Sequence, residues 1–479
     1  MTKAYKDLRE FLATLEAEGQ LVRVKEEVCP EPDIGAAGRA CANMKNKPAV
    51  WFEKVQGYKY SVVTNVHGSW QNHALMMGMP KDTPVKEQFF ELNRRWDKFP
   101  VKPLVLPREK AACKENVITK DINLFEVLPL YRINDQDGGF FISKASVITG
   151  DPEFPDDLNK MNVGTYRIQV KDVDRIGIQA LPFHDIAIQL AKAEAVNEPL
   201  PIAIALGNAP LVTFMASTPV AYNQNEYEFV GALQDGVPAE ITKADLADHL
   251  YVPAHAEVVL EGYIMPRVRT CEGPFGEFPG SYSGARLQCE IKVTRITHRN
   301  NPIFENLYLG MPWTEIDYLM ALNTSVPLYK ELKASIPEVQ AVNAMYTHGI
   351  GEIISVKSRY GGFAKSAAFR LLSTPHGTAY AKIIILVDEF VDPFNLEQVM
   401  WALTTRVKPS KDVSIIQNCA GMPLDPSSVP AGMHDKLIID ATTPVAPEPN
   451  PRSVELLKPS PATPKWEEII KSLMAASGK

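Results

Sequence analysis

The sequence predicts an α+β fold in which a β-rich centre lies between two parts of mixed helix and strand. Three observations support this class. A chain of 479 residues is too long for one ordinary core, so two or three packed domains are expected. Its 38 prolines favour many connections between short elements over long helices. Short β-like apolar runs dominate the middle of the chain, and helix-like segments occur on either side of them.

The first part, residues 1–115, is predicted to be an α/β domain. It begins with apolar residues at helical spacing, followed by Gly19, which is suited to end a helix: Leu8, Phe11, Leu12 and Leu15. Strand-like runs follow at Leu21 to Val28 and at Val62 to Val66. Residues 99–107 contain three prolines and mark a boundary.

The central part, residues 116–325, is predicted to be rich in strands. The β-like runs are Val163 to Val170, Ile202 to Leu206, Val258 to Ile264, Leu287 to Ile296 and Ile303 to Leu309. Residues 199–222 carry no charge, but Pro201, Gly207, Asn208 and Pro210 interrupt them, which argues against a membrane span. We expect two buried strands there, joined by a turn at Gly207 to Pro210.

The last part is predicted to be an α/β domain at 326–440, followed by an arm at 441–479. Helix-like segments at Leu328 to Leu332 and Leu396 to Leu403 alternate with the strand-like Ala381 to Val387. Seven prolines in residues 441–465 predict an extended arm, and Trp466 to Ala476 resumes a helical pattern. The arm is either a loose tail or a strap onto another subunit.

Composition excludes several classes of protein. A net charge of −7, without a local run of Lys and Arg, disfavours nucleic acid and anionic membrane surfaces as partners. The first residues alternate in charge and do not resemble a secretory signal, so a cytoplasmic location is expected. The six cysteines form no CxxC pair, which supports neither a zinc knuckle nor a disulfide framework.

Two acidic residues occur in a segment, Thr270 to Gly280, that lies between strand-like runs. Its glycines and prolines exclude a helix, so Glu272 and Glu277 are expected on a tightly shaped loop. Phe275 and Phe278 would limit hydration, which raises a carboxyl pKa towards values useful for proton transfer. On this segment alone, a hairpin turn whose acids face water is the alternative.

Arg167 belongs to a segment that ends a loop and begins a strand. Alternation places Asn162, Gly164 and Tyr166 on one strand face and Arg167 on the other, unless the strand starts later. The planar guanidinium can hold a carboxylate through two hydrogen bonds. Arg167 is therefore a candidate binder of an acid, with an ordinary exposed strand arginine as the alternative.

Asn162, His184 and Glu226 together offer an amide oxygen, an imidazole and a carboxylate. This mostly hard set suits Mn²⁺ or Mg²⁺ with open positions better than structural zinc. The alternatives are a hydrogen-bonded structural histidine and an acid that favours a helix N-terminus. Lys365 follows two glycines and is a candidate to bind phosphate as a point charge, although most such lysines are ordinary surface residues.

The ordered set of these motifs resembles the UbiD family of reversible decarboxylases. The motifs are Asn162-x4-Arg167, His184, Glu226-x-Glu-Phe-Val-Gly-Ala and Glu272-Gly-Pro-Phe-Gly-Glu277. The resemblance extends to about Pro444 and is greatest to the large subunit of nonoxidative hydroxyarylic acid decarboxylases, on the segments Leu307 to Leu319 and Ala341 to Gly349. It implies a central flavin-binding split β-barrel flanked by α/β domains.

The resemblance also implies cofactors, namely prenylated FMN supplied by a separate flavin prenyltransferase, a divalent metal and K⁺. By motif position, Asn162, His184 and Glu226 correspond to the ligands of Mn²⁺ or Mg²⁺, and K⁺ is expected beside Glu226 near Met215 to Thr218. The implied cofactor contacts are Asn162, Thr165, Tyr166, Arg167, Ala180, Leu181, Pro182, Ser217, Thr218, Pro219, Glu226 and Lys365.

The implied reaction is reversible decarboxylation of a hydroxylated benzoic acid, such as 4-hydroxybenzoate, vanillate or protocatechuate, to a phenol and CO₂. In the family the prenylated flavin binds the substrate carbon covalently and accepts its electrons. Arg167 would then orient the substrate carboxylate and Glu272, and Glu277 would return a proton to the ring. His348 and His434 are candidates for contacting ring hydroxyls. The last acid is Asp in some relatives and Glu here.

The resemblance implies a homo-oligomer, either a dimer or a hexamer, and small accessory subunits occur in the subfamily. One alternative is a decarboxylase of polyprenylated hydroxybenzoate in quinone biosynthesis, which would need a lipid-accommodating site. The other is a non-catalytic flavin-binding scaffold subunit. The complete set of Arg167, Glu272 and Glu277 argues against the scaffold.

Overall fold

A computed structural model describes residues 4–182, 184–449, 457 and 460–476, and it shows a mixture of helices and sheets. In this part of the chain the strands form four sheets, of four, nine, three and five strands. A mixed fold, as predicted, is therefore confirmed, whereas the domain boundaries stay predictions. No helix within the described ranges is long and apolar enough to cross a membrane.

The four-stranded sheet is built mainly from the first hundred residues. Its strands, in spatial order, are Leu21–Val28, Ala49–Val55, Ser61–Thr64 and Ile303–Glu305. The neighbouring helices are Leu8–Ala17, Gly35–Asn43, Trp70–Met76 and Val85–Trp96. The predicted first helix is confirmed, since Asp7 accepts a hydrogen bond from the N–H of Glu10 and Gly19 follows the helix with φ +72°.

The nine-stranded sheet occupies the centre of the chain. Its strands are Asn116–Ile118, Phe141–Ile142, Ser146–Gly150, Met161–Thr165, Ile168–Asp172, Arg175–Ile178, Leu200–Leu206, Val258–Glu272 and Arg286–His298. The last two form a long antiparallel pair, and Gly262 permits close approach there because a Cβ would lie 2.1 Å from the Lys292 carbonyl oxygen. The accompanying helices are Leu124–Val127, Asp185–Ala195, Pro210–Ala216 and Glu226–Leu233.

The prediction of two strands in residues 199–222 is wrong in its second half. The strand Leu200–Leu206 forms, but the helix Pro210–Ala216 follows it. Gly207 turns the chain with φ +66°, and Pro210 occupies the first turn of the helix, where its missing N–H costs nothing. Every residue of this helix is buried, so its sequence has no polar face that would reveal a helical period.

Two predicted strands are shorter than their apolar runs. The run from Val163 to Val170 divides into Met161–Thr165 and Ile168–Asp172, so alternation does not continue through Arg167. The run that begins at Ile303 is a strand only as far as Glu305. A three-stranded sheet of Leu104–Val105, Glu240–Lys243 and Tyr251–Pro253 lies alongside. Short 3₁₀ and π turns lie at Arg108–Lys110, Ala112–Lys114, Leu158–Lys160 and Pro30–Ile34.

The five-stranded sheet contains the predicted strand at 381–387. Its strands are Val339–Tyr346, Gly351–Val356, Ile383–Asp388, Met433–Ala441 and Val413–Ala420. The helices of this region are Glu315–Leu319, Leu322–Ser335, Phe363–Leu372, Pro375–Ala379, Leu396–Arg406, Pro409–Asp412 and Thr463–Ala476. The predicted helices at 328–332, 396–403 and 466–476 are therefore confirmed. Most of the proline-rich arm between 450 and 459 lies outside the described residues.

A buried ionic cluster joins the first sheet to the centre. The Nζ of Lys144 donates to Glu305 at 2.6 Å, to Glu315 at 2.5 Å and to Nδ1 of His67 at 2.9 Å. All four side chains are 1% exposed. His67, Glu305 and Glu315 are close enough to hold a metal ion, but the lysine ammonium supplies the positive charge between them. This cluster is therefore structural.

Replacing Lys144 with Met should destabilise the protein by about 3–5 kcal/mol, because two buried carboxylates lose their cation.

Burial alone raises the pKa of Glu315, but Lys144 and His67 lower it to about 2. This stabilisation is therefore complete above about pH 4.5 and is lost as the pH falls towards 2. Urea unfolding at several pH values measures the stability lost in the variant and the dependence of stability on pH. Lys330→Met, which breaks an exposed pair with Asp97, is the control, and an equal loss in both variants would contradict the prediction.

Candidate active site

Arg167, Glu272 and Glu277 form one hydrogen-bonded network at the edge of the central sheet. The Nε and Nη2 atoms of Arg167 donate to the two carboxylate oxygens of Glu272, each at 2.8 Å. Its Nη1 donates to Oε1 of Glu277. Arg167 lies in the break between two strands, and Glu272 is the last residue of the strand Val258–Glu272. The loop prediction thus holds for Glu277 and is wrong for Glu272.

Burial sets the electrostatics of this network. Glu272 is fully buried, Glu277 is 6% exposed and Arg167 is 9% exposed, so the alternatives of water-facing acids and of an exposed arginine are wrong. Burial raises the pKa of Glu277, and Arg167 offsets part of that rise. Burial alone would lower the pKa of Arg167, but its pairs with Glu277 and Glu272 raise it. Glu277 therefore keeps a proton to a higher pH than an ordinary glutamate.

Aromatic side chains exclude water from the same network. Phe275 is 1% exposed and Phe278 is 3% exposed, as the sequence predicts. The guanidinium carbon of Arg167 lies 5.3 Å from the centroid of the Phe275 ring. The ring of His348 stacks on Phe278 with centroids 3.9 Å apart. His348 therefore lies beside the loop of Glu277, whereas His434 pairs with Asp425 at 3.5 Å.

Asn162, His184 and Glu226 line one cavity of about 290 Å³. Asn162 belongs to the strand Met161–Thr165, His184 precedes the helix Asp185–Ala195, and Glu226 begins the helix Glu226–Leu233. The His184 ring packs edge-on against Tyr166, with centroids 5.2 Å apart. Three separate elements thus bring the predicted metal ligands to one place.

The chemistry of Glu226 suits a cation. Backbone N–H groups of Glu226 and Val163 donate to its carboxylate, but Oε2 is buried and has no hydrogen-bond partner among the residues that the structure describes. Burial raises the pKa of this carboxyl to about 8. An ion held by oxygen and imidazole ligands would supply the missing partner, so these residues fit a hard divalent metal.

Most of the expected cofactor contacts line the same cavity. They are Asn162, Thr165, Tyr166, Ser217, Thr218, Pro219 and Glu226. The hydroxyls of Thr165 and Ser217 are hydrogen bonded at 2.9 Å, which joins two walls. Ala180, Leu181 and Pro182 connect the strand Arg175–Ile178 to His184, whose N–H donates to the Leu181 carbonyl at 2.9 Å.

Lys365 is not brought to this cavity. It lies in the helix Phe363–Leu372, and its Nζ donates to the Lys411 carbonyl at 3.4 Å. Sequence reasoning instead missed a wall from the C-terminal part of the chain, formed by Pro375, His376, Ala379 and Tyr380. The rings of His376 and Tyr380 stack with centroids 4.7 Å apart. These residues lie in no motif, and only the tertiary fold brings them to the cavity.

Asn323 is a second residue that sequence reasoning missed. It is fully buried, and its amide donates to the Ser217 carbonyl at 2.9 Å and to the Thr218 hydroxyl at 3.1 Å. It thereby holds the turn that ends the helix Pro210–Ala216 against the cavity. A lone asparagine in a helical segment carries no recognisable signal for this role.

Models of the 3-octaprenyl-4-hydroxybenzoate carboxy-lyase family (UbiD) match three consecutive parts of the chain. The N-terminal domain matches residues 12–92, the Rift-related domain matches 105–312 and the C-terminal domain matches 317–441. The three matches follow the chain in the family's own order and include every residue of the Arg167 network and of the Glu226 cavity described above.

The chain is also similar to individual proteins of this family. The chain is 78% identical over 475 residues to the phenolic acid decarboxylase of Sedimentibacter hydroxybenzoicus, with 99% of both chains covered. The vanillic acid decarboxylase of that organism in closed form superposes with a TM-score of 0.94 at 78% identity, covering 98% of this chain and 99% of that chain. An evolved dimeric form of the UbiD-class enzyme HmfF of Pelotomaculum thermopropionicum, in complex with prFMN, superposes with a TM-score of 0.81 at 31% identity, covering 96% and 98%.

Proposed function

The chain belongs to the UbiD family of carboxy-lyases, and we propose that it decarboxylates small hydroxylated benzoic acids. The substrates are of the 4-hydroxybenzoate, vanillate or protocatechuate type, and the products are the phenol and CO₂. The observation that carries the proposal is the buried network of Arg167, Glu272 and Glu277. It combines a carboxylate-binding cation with a protonatable acid whose pKa burial raises.

The three residues of the network have different roles in this proposal. Arg167 orients the substrate carboxylate with its guanidinium fork, while its two hydrogen bonds to Glu272 fix the plane of that fork. Glu277 donates a proton to the ring carbon that loses CO₂. Phe275 and Phe278 keep water from competing as the proton source. The reverse reaction would use Glu277 as the base.

The cavity lined by Tyr166, the residue before Arg167, is proposed to hold prenylated FMN, the group that supplies the electron sink for decarboxylation. Asn162, His184 and Glu226 would hold Mn²⁺ or Mg²⁺ there, and K⁺ would lie near Met215 to Thr218. The remaining contacts would be Thr165, Tyr166, Arg167, Ala180, Leu181, Pro182, Ser217, Thr218 and Pro219, whereas Lys365 lies away from the cavity. The buried Oε2 of Glu226 supports this placement: it has no hydrogen-bond partner among the described residues, and a bound cation would provide one.

The proposal extends to architecture and assembly. The central nine-stranded sheet would correspond to the split barrel that binds the flavin, with α/β domains on either side. A flavin prenyltransferase would supply the cofactor. The functional form would be a homo-oligomer, a dimer or hexamer, with a small accessory subunit. The relatives' names support this extension, since one structure is designated ShVdcCD and another is a dimeric form.

Activity tests of protein co-produced with a flavin prenyltransferase distinguish the candidate functions. We expect flavin absorbance together with CO₂ release from 4-hydroxybenzoate or vanillate. Release only from polyprenylated hydroxybenzoate would favour the quinone-biosynthesis alternative. Flavin absorbance without CO₂ release from any of these acids would favour a non-catalytic scaffold. Protein without flavin absorbance would overturn the proposal.

Replacing Glu226 with Gln should abolish binding of the divalent metal, because the amide keeps the shape but lacks the charge. Elemental analysis of the purified protein measures the metal for each chain, and absorbance measures the flavin. Glu228→Gln is the matched control, since Glu228 lies in the same helix but faces the charge of Lys102. Equal metal content in the two variants would remove Glu226 from the metal site.

A further inference from the structure

The buried carboxylate of Asp137 holds the loop that carries Glu277 at Gly276, the residue before the acid. We propose that Asp137 is a positioning residue, which fixes the backbone on the N-terminal side of Glu277 so that its carboxyl reaches the ring carbon. This inference rests on the proposed function, in which Glu277 is the proton donor. Asp137 belongs to none of the sequence motifs, and among the described residues it neither lines the cavity nor hydrogen bonds to the Glu277 side chain.

Hydrogen bonds of Asp137 carry the argument. Its Oδ1 accepts from the N–H of Gly276 at 2.8 Å, immediately before Glu277. Its Oδ2 accepts from the N–H groups of Asn134 at 2.9 Å and Ile133 at 3.2 Å. One carboxylate thus ties residues 133–137 to the loop through three N–H groups. At 5% exposure these bonds are shielded from water, which makes each of them costly to lose.

The backbone N–H groups on either side of Gly276 bind acceptors within the loop itself. The N–H of Phe275 donates to the hydroxyl of Ser283, and the N–H of Glu277 donates to the carbonyl of Ser281, so both bonds stay within the loop. Among the described residues, Asp137 is thus the one side chain from outside the loop that binds a backbone N–H of residues 275–277. Its removal would leave the Gly276 N–H buried without its acceptor.

Close packing explains why a small displacement would reach Glu277. A Cβ on Gly276 would lie 2.3 Å from Nδ2 of Asn134, and a Cβ on Gly138 would lie 2.4 Å from the carbonyl oxygen of Gly273. The N–H of Gly138 also donates to the Pro274 carbonyl at 2.7 Å. The two backbones are therefore in direct contact, so a displacement of the segment that contains Asp137 would displace the loop as well.

The charge of Asp137 also belongs to the electrostatics of the site. Burial raises the pKa of Asp137, while the three backbone N–H groups and the positive charge of Arg167 lower it in part. The positive charge of Arg167 thus acts on Asp137 as well, although Glu272 and Glu277 are its hydrogen-bonded partners. An asparagine at this position would keep one oxygen for Gly276 but would present N–H groups to the donors of Ile133 and Asn134.

Asp137→Ala tests the inference with readouts of both structure and catalysis. We expect kcat to fall on the order of 100-fold with KM nearly unchanged, because a displacement of about 1 Å suffices for such a loss and Arg167 still binds the substrate. Backbone amide exchange in residues 273–278, followed by mass spectrometry, should accelerate. Asp137→Asn should recover part of kcat. Asp392→Ala is the control. Asp392 likewise accepts a hydrogen bond from a backbone N–H, that of Phe394, but it belongs to the C-terminal part of the chain rather than to the loop of Glu277.

The outcomes separate this inference from the proposed function. Unchanged exchange of residues 273–278 in Asp137→Ala would overturn the positioning role, whatever the activity. A lower unfolding temperature with normal kcat in the folded variant would also overturn it, since Asp137 would then act on stability alone. If the unaltered protein releases no CO₂ from any acid, the proposed function fails, while faster loop exchange in the variant would still support Asp137 as the anchor.

Discussion

Glu277→Gln should lower the rate of decarboxylation by about 10²–10⁴-fold, the usual contribution of a positioned general acid. The amide has nearly the shape of the carboxyl and still offers Arg167 an acceptor, so the fold and the cavity should persist. It cannot release a proton to the vacated ring carbon. The rate of CO₂ release measures the loss, and exchange of the ring hydrogen of the phenol with D₂O, followed by NMR, should disappear.

Glu277→Asp supplies the control for this result. It keeps the acid but shortens its reach by one CH₂ group, so we expect a smaller loss than for Gln. Unfolding temperature and flavin absorbance should be unchanged in both variants, which separates lost chemistry from lost structure. Full turnover by Glu277→Gln would remove Glu277 from the role of proton donor.

The pH dependence of the same step follows from the raised pKa of Glu277. Burial favours the protonated form, and Arg167 only partly offsets this effect. An acid catalyst must carry its proton, so kcat for decarboxylation should fall as the pH rises through this pKa. That fall should lie above pH 4.5, the ordinary pKa of a glutamate. A kcat that rises over this range would contradict the assignment of Glu277 as the acid.

The sequence identifies the reactive groups better than their surroundings. Arg167 is 105 residues from Glu272 and 110 from Glu277 in sequence, yet the structure joins it to both acids, because each of the three residues ends or follows a strand of one sheet. Glycines and prolines predict the loop of Glu277 from local backbone preferences alone. The burial of these charges could not be predicted in this way, since it depends on residues such as Phe275 packing in three dimensions.

Long-range contacts account for the residues that were missed. His376 and Tyr380 reach the cavity from the C-terminal part of the chain, and Asn323 supports it from a helix. None has a spacing that distinguishes it from a core residue. The helix Pro210–Ala216 was missed for a related reason, since a wholly buried element loses the polar face from which its period is read.

Arg167 is the residue whose loss should affect both stability and activity, and two substitutions separate these effects. Arg167→Met leaves Glu272 fully buried without its donors, so we expect a loss of about 3–5 kcal/mol in the free energy of unfolding and no decarboxylation. Arg167→Lys keeps a positive charge near both acids. It should retain most of the stability, which urea unfolding measures.

Arg167→Lys should nevertheless lower kcat/KM on the order of 100-fold. The lysine ammonium is a point charge, so it cannot form two parallel hydrogen bonds to Glu272 and orient the substrate carboxylate at the same time. Arg175→Lys is the matched control, since that exposed arginine on a neighbouring strand makes only a 3.4 Å contact with Glu290. If Arg167→Lys kept full kcat/KM, charge alone would suffice and the fork geometry would have no role. A loss confined to Arg167→Lys would show that the plane of the guanidinium, fixed by Glu272, orients the substrate.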